Sequence, residues 1–233
     1  MAERHLILSC EHAENAVPDR WRGAFIGHEG LLATHRGYDI GILSFAERLA
    51  SHFQASVHTC PITRLLVDAN RSLHSRTLFS EFARALPPGE RRLLLERYYF
   101  PYREGVTEQV AAALAGGAGV LHLSLHSFTP VFRGMVRNAD VGLLFDPAAA
   151  AEAAFCRRWQ NLLRAQTGWR VRRNYPYRGV ADSLATWLRR HLDHRGRFLG
   201  IELEINQHWP ETGGASWTRL QADLLATLGA MLC

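Results

Sequence analysis

What most constrains this chain is a series of short runs rich in Val, Ile and Leu, separated by longer stretches of helical periodicity. The runs "HLILSC" (5–10), "ASVHTC" (55–60), "VLHLSLH" (120–126), "VGLLFD" (141–146), "WRVRRN" (169–174) and "FLGIELEIN" (198–206) read as strands. Between them, "DIGILSFAERLASHF" sets Ile40, Leu43, Ala46, Leu49, Ala50 and Phe53 on one helical face, with Asp39 placed to open the helix. Residues 87–117 read as helical segments interrupted at Pro101, and 147–168 as a helix from Pro147 to Gly168. Residues 215–233 form a last helix with Trp217, Leu220, Leu224, Leu228 and Leu232 inward. Such alternation predicts an α/β fold, a three-layer sandwich with helices on both faces of a mostly parallel sheet. The 233 residues, 47% apolar, suit a single domain spanning 1–233.

All 27 basic residues are arginine, behind a net charge of +5. A chain without lysine cannot form a lysine Schiff base, a Walker A site or a serine/lysine pair. The arginines are dispersed and their pairs (91–92, 157–158, 172–173 and 189–190) read as solvated element ends, so no nucleic acid partner is expected. No apolar run approaches the roughly 20 residues of a membrane span, and "MAERHLILSC" is too short for a secretion signal; a cytoplasmic protein without membrane contact is expected. Cys10, Cys60, Cys156 and Cys233 form no CxxC pair and read as reduced thiols.

In parallel sheets ligands gather beyond the carboxyl ends of the strands. Unusual polar residues fall there: Glu11 and His12 after the first strand, His126 after the third, Asn174 after the fifth and Glu204 within the last. A catalytic zinc takes three nitrogen or oxygen ligands plus water, which His12, His35 and His126 with a nearby carboxylate could supply; the plainer role is a hydrogen-bonded or surface histidine. Asp39 is a ligand candidate whose plainer role is helix capping. His122 shares a strand face with His126 but lies deeper, which suggests a structural role. In "TRLLVDANR" (63–71), Arg64, Asn70 and Arg71 could seat an acidic substrate with Asp68 orienting an arginine, or form an ion-paired surface turn. Glu202 and Glu204 share a side; a carboxylate in a buried strand is costly unless paired or working as a base, and the alternative is a strand end facing water. No G-x-S-x-G elbow occurs. Cys10 beside His12 reads as a thiolate pair or as a buried thiol.

The blocks "CEHAENAVP", "HRGYDIG", "TRLLVDANR", "LHSFTP", "VGLLFD", "NYPY" and "LEINQ", in this order, resemble those of the N-formylglutamate amidohydrolase family. Glu14 and Thr63 stand where that family usually has Ser. The resemblance implies a fold related to the zinc carboxypeptidases and aspartoacylase, and one divalent metal, zinc. It implies His12 and His126 as ligands, Glu204 as general base, and Asn70 with Arg71 as a carboxylate clamp beside Arg64. Asn174 joins them as a substrate-binding position. The relatives' H-x-x-E would put Asn15 in the third ligand place, so Asp39 is the first choice of carboxylate and Glu11 the second. The implied reaction is hydrolysis of N-formyl-L-glutamate to formate and glutamate, at the close of histidine degradation. Another acidic N-acyl amino acid as substrate and a non-catalytic metal-binding module are the alternatives. The expected partner is a small acidic molecule.

Overall fold

The computed structural model describes residues 4–192, 194 and 196–232. Its strands are β1 (Arg4–Cys10), β2 (Ser56–Thr59), β3 (Gly119–Phe128), β4 (Val131–Phe132), β5 (Met135–Val136), β6 (Val141–Leu144), β7 (Val171–Arg173) and β8 (Phe198–Asn206). The helices are α1 (Ile42–Phe53), α2 (Glu81–Arg84), α3 (Pro88–Leu94), α4 (Phe100–Ala115), α5 (Ala150–Thr167), α6 (Leu184–His191), α7 (His208–Thr212) and α8 (Gly214–Leu232). Among the described residues the main sheet has the order β2-β1-β3-β8-β6-β7. The first four strands run parallel, and β6 and β7 run antiparallel to them. The link from β3 to β6 is the short β4–β5 hairpin, too short for the crossover that a parallel return needs.

The two faces of this sheet differ in chemistry because side chains alternate along each strand. On one face Leu8, Leu121, Leu123, Leu125, Ile201, Leu203 and Ile205 pack against α1, α5 and α8 around Phe45, Trp159, Leu224 and Leu228. Each fully buried leucine or isoleucine there contributes on the order of 1.5–3 kcal/mol. The opposite face begins apolar at Ile7, Val120 and Phe198 under α4 and α6, then turns polar toward the strand ends. Strand register aligns Ser9, Ser124 and Glu202 in one row and His126, Glu204 and Gly142 in the next.

Several elements depart from expectation. Helix α1 starts at Ile42 behind Gly41, whose φ of 77° suits a residue without a side chain; a Cβ there would lie 2.2 Å from Pro210 Cβ. Asp39 therefore caps nothing and is free for other contacts. The break expected at Pro101 comes one turn earlier, as a π-helical turn over Leu95–Tyr99, and Pro101 sits in the first turn of α4, where its missing N–H is tolerated. Leu220, Leu224 and Leu228 of α8 are buried, Trp217 and Leu232 partly so, and Cys233 lies outside the described residues. The Arg189–Arg190 pair is not simply a solvated helix end: Arg190 is exposed, but Arg189 reaches inward to the buried carboxylate of Glu152 at 2.9 Å. No helix among the described residues is long and apolar enough to cross a membrane.

Candidate active site

His12 follows β1, His126 lies near the end of β3, and Asp39 sits on the loop before α1; all three are buried. Asp39 Oδ2 accepts the Ser127 backbone N–H at 3.1 Å and lies 3.0 Å from His126 Nδ1 and 3.4 Å from His12 Nδ1. Each ring has its far nitrogen against another carboxylate. His12 Nε2 faces Asp68 Oδ1 at 2.7 Å; His126 Nε2 faces Glu11 Oε2 at 3.2 Å and Ser124 Oγ at 2.9 Å. Ser124 donates to Glu11 Oε2 at 2.8 Å and Ser9 to Oε1 at 2.9 Å, so Glu11 is fully engaged behind His126.

This arrangement fits a metal. When Asp68 and Glu11 hold the protons on the two Nε2 atoms, both Nδ1 lone pairs turn toward a carboxylate oxygen. Three acceptors then converge, and only a cation or added protons can reconcile them. One ligand atom from each of His12, Asp39 and His126 lies within 4.8 Å of the others. The N₂O donor set suits zinc. The electrostatics agree: burial would lower the His126 imidazole, but its hydrogen bonds to Asp39 and Glu11 hold it well above its ordinary value. Burial would raise Asp39, Asp68 and Glu11, yet the neighbouring histidines, with Arg64 beside Asp68, hold all three well below the usual carboxylate range. Burial raises the Cys10 thiol, which disfavours a thiolate pair with His12.

Glu202 and Glu204 are both buried, not facing water. Glu202 Oε1 accepts from Ser183 Oγ at 2.7 Å. Glu204 Oε2 has no hydrogen-bond partner among the described residues, though it lines a cavity of about 170 Å³ together with His12, Asp39 and His126. Burial lifts the Glu204 carboxyl to about 8; His126 pulls it down, and Asp39 and Glu202 push it up.

Arg64 and Arg71 line the same cavity. Arg64 is committed to Asp68 at 2.9 Å and Asp39 at 3.4 Å, and Arg71 lies 3.8 Å from Asp68 and donates to the Asp182 carbonyl. Asn70 Oδ1 accepts the Leu184 N–H at 2.8 Å, and its amide nitrogen stands 3.4 Å from His126 Nε2. The 63–71 segment is thus a cavity wall rather than a surface turn. Asn174 stands apart from this group: with φ 48° it leaves β7, and its Oδ1 accepts from Phe145 N at 3.0 Å and Gly179 N at 3.2 Å. His35 is exposed and lines a neighbouring cavity of about 220 Å³ that shares Asp39, Arg64, Ser127 and Tyr177 with the first. A larger cavity of about 650 Å³ lies between α4 and α6, touches the site at Asp182 and Ser183, and holds none of the histidine–carboxylate cluster.

Sequence reasoning did not reveal Asp68 as the partner of His12, nor Ser124 as a link between Glu11 and His126. The even spacing in "HLSLH" could have placed Ser124 on the face of His122 and His126. It also missed Tyr177, Arg178 and Asp182, which close the cavity from the loop after β7.

The family profile described as N-formylglutamate amidohydrolase matches residues 4–209. The gene product Atu2144 from Agrobacterium tumefaciens has a similar structure, with a TM-score of 0.82 and 25% identity over 99% of this chain and 91% of that one. So does an N-formylglutamate amidohydrolase from Ralstonia eutropha JMP134, with a TM-score of 0.73 and 19% identity over 99% and 94%. A metallo-carboxypeptidase from Burkholderia cenocepacia is more distant, at a TM-score of 0.41 and 14% identity over 100% of this chain and 57% of that one. No curated protein matches the chain. With a match spanning most of its length, the chain belongs to the N-formylglutamate amidohydrolase family.

Proposed function

We propose that this chain, acting as one domain, hydrolyses N-formyl-L-glutamate to formate and glutamate with a zinc ion held by His12, Asp39 and His126. The observation that carries this reading is Glu204 Oε2, a buried carboxylate oxygen without a hydrogen-bond partner among the described residues, lining the same cavity as those three residues. A buried acceptor without a donor is unfavourable in a merely structural role. It is what a proton acceptor for an incoming water requires. A cavity of about 170 Å³ suits an amino-acid derivative, since the pockets that take drug-sized ligands run to about 300–1,000 Å³.

Zinc, when bound, supplies a Lewis acid that polarises the amide carbonyl and acidifies water. Arg71 receives a substrate carboxylate at the cavity wall, and Arg64, tied to Asp39 and Asp68, braces that wall. Glu204 takes a proton from the attacking water and returns it to the leaving nitrogen as the amide C–N bond breaks. Burial holds the Glu204 carboxyl up at about 8, and the charge of a bound zinc would lower it from there and favour the ionised form that accepts a proton. Asp68 and Glu11 hold the two imidazoles in one tautomer.

The deciding experiment measures zinc content together with formate release from N-formylglutamate. A purified protein that holds stoichiometric zinc and releases no formate refutes the reading. A larger acyl group is favoured by one observation, the cavity of about 220 Å³ on the far side of Asp39 and Tyr177, which a formyl group leaves empty. Assaying N-acetylglutamate beside N-formylglutamate separates the two.

A further inference from the structure

N-formylglutamate carries two carboxylates, and the cavity needs a cation for each. Of the three arginines that line it, Arg64 is bonded to Asp39 and Asp68, and Arg71 is engaged in part by Asp68 and Asp182. The third, Arg178, has no hydrogen bond or ion pair from its guanidinium among the described residues. An unpartnered arginine on a mobile surface loop would mean little. This loop is built otherwise.

Asn174 turns the chain out of β7 and bridges Phe145 N and Gly179 N with one side-chain oxygen. Gly179 is pressed against the same strand exit: a Cβ there would lie 2.1 Å from Phe145 N, so only glycine fits. The Gly179 carbonyl accepts from Arg189 Nη1 at 2.8 Å, and Arg189 is itself fixed by Glu152 at 2.9 Å and donates to the Gly200 carbonyl at 2.6 Å. Ala181 N closes a turn onto the Arg178 carbonyl at 2.9 Å. A short chain of part-buried contacts thus anchors the backbone on both sides of Arg178, while Arg178 itself is exposed at the cavity rim. Fixing a backbone so that one free cation overlooks a cavity is preorganisation for an anion.

We propose that Arg178 is a specificity-determining residue that binds the side-chain carboxylate of the substrate, while Arg71 binds the carboxylate common to all amino acids. The proposal rests on the amidohydrolase reading given above and adds to it the division of labour between the two arginines. Asn174, Gly179 and Arg189 are positioning residues for Arg178 and touch no substrate.

The test compares N-formylglutamate with its neutral isostere N-formylglutamine, using kcat/KM for wild type, Arg178→Ala, Arg178→Lys and Arg71→Ala. Arg178→Ala should reduce the preference for the glutamate compound by about 10- to 100-fold, chiefly through KM, the range expected for a hydrogen bond to a charged group. Arg178→Lys should restore much of that preference. Arg71→Ala should lower both kcat/KM values together and leave their ratio near that of wild type. A ratio for Arg178→Ala within twofold of wild type overturns the proposal. If wild type hydrolyses neither compound, the amidohydrolase reading fails separately, and calorimetry with glutamate and glutamine on the zinc-loaded protein judges Arg178. A selective loss of glutamate binding in Arg178→Ala supports the assignment; equal loss, no loss or no binding of either overturns it.

Discussion

Replacing Glu204 with Gln should make the zinc-free protein more stable and the enzyme nearly inactive. The carboxyl is buried, and burial is the main reason its pKa stands at about 8 instead of 4.5. In the unfolded chain it ionises near 4.5; in the folded, cation-free chain it stays protonated to about 8. Between those values the folded state binds more protons, so stability falls as pH rises. From 4.5 to pH 7 the loss is about 3 kcal/mol, at about 1.4 kcal/mol per pH unit. Glutamine does not titrate, and because Oε2 has no partner among the described residues, an amide at that place breaks no hydrogen bond seen there. The variant should therefore melt about 6–12 °C higher at pH 7 in the presence of a chelator, and the gain should vanish near pH 4. Bound zinc shrinks the gain, because its charge stabilises the carboxylate. Formate release should fall by about 10²–10⁴-fold in the zinc-loaded variant. Melting curves of chelated wild type and variant from pH 4 to 8 are the assay. Equal melting at pH 7, or an equal gain at pH 4, refutes the burial argument.

Asp39→Ala should abolish stoichiometric zinc, whereas Asp68→Asn and Glu11→Gln, which loosen the rings from behind, should weaken binding by about 10–100-fold in chelator competition. A loss with Glu11→Gln as complete as with Asp39→Ala would make Glu11 a ligand in its own right. Burial holds His122 neutral down to about 4, against 6.5 in the unfolded chain, so its contribution is complete above pH 6.5 and disappears as pH falls toward 4, about 3 kcal/mol in all. His122→Gln should flatten that acid limb in urea titrations; an unchanged slope would show that other groups control it.

Most of the sheet is readable because its strands are short runs rich in Leu, Ile and Val, and "FLGIELEIN" matches β8 from Phe198 to Asn206. Helix α6 goes unread because "LATWLRRH" is only two turns long, although Leu184, Ala185 and Leu188 form a buried face. The ligand candidates were visible as polar residues at strand ends. Their hierarchy was not: Asp39 looked like a helix cap until Gly41 took that place, and Asp68 looked like an arginine's partner although it also holds His12. Asn174 is a different case. A polar residue after a strand reads as facing the ligand, and the structure shows its left-handed conformation with the side-chain oxygen accepting from the backbone N–H groups of Phe145 and Gly179. Such distinctions depend on which of two nearby acceptors a donor reaches, and spacing along a chain does not encode that.

The position of β8 bears on how the protein comes into being. The strand that fills the middle of the sheet, between β3 and β6, begins only at Phe198. During synthesis β1, β2, β3, β6 and β7 all emerge earlier, and until β8 arrives β3 and β6 each expose an unpaired edge, the kind of surface on which nascent chains stick to one another. Glu204 emerges with that same strand. Closure of the sheet and completion of the histidine–carboxylate cavity are therefore one late event, and a chain halted before residue 198 has neither.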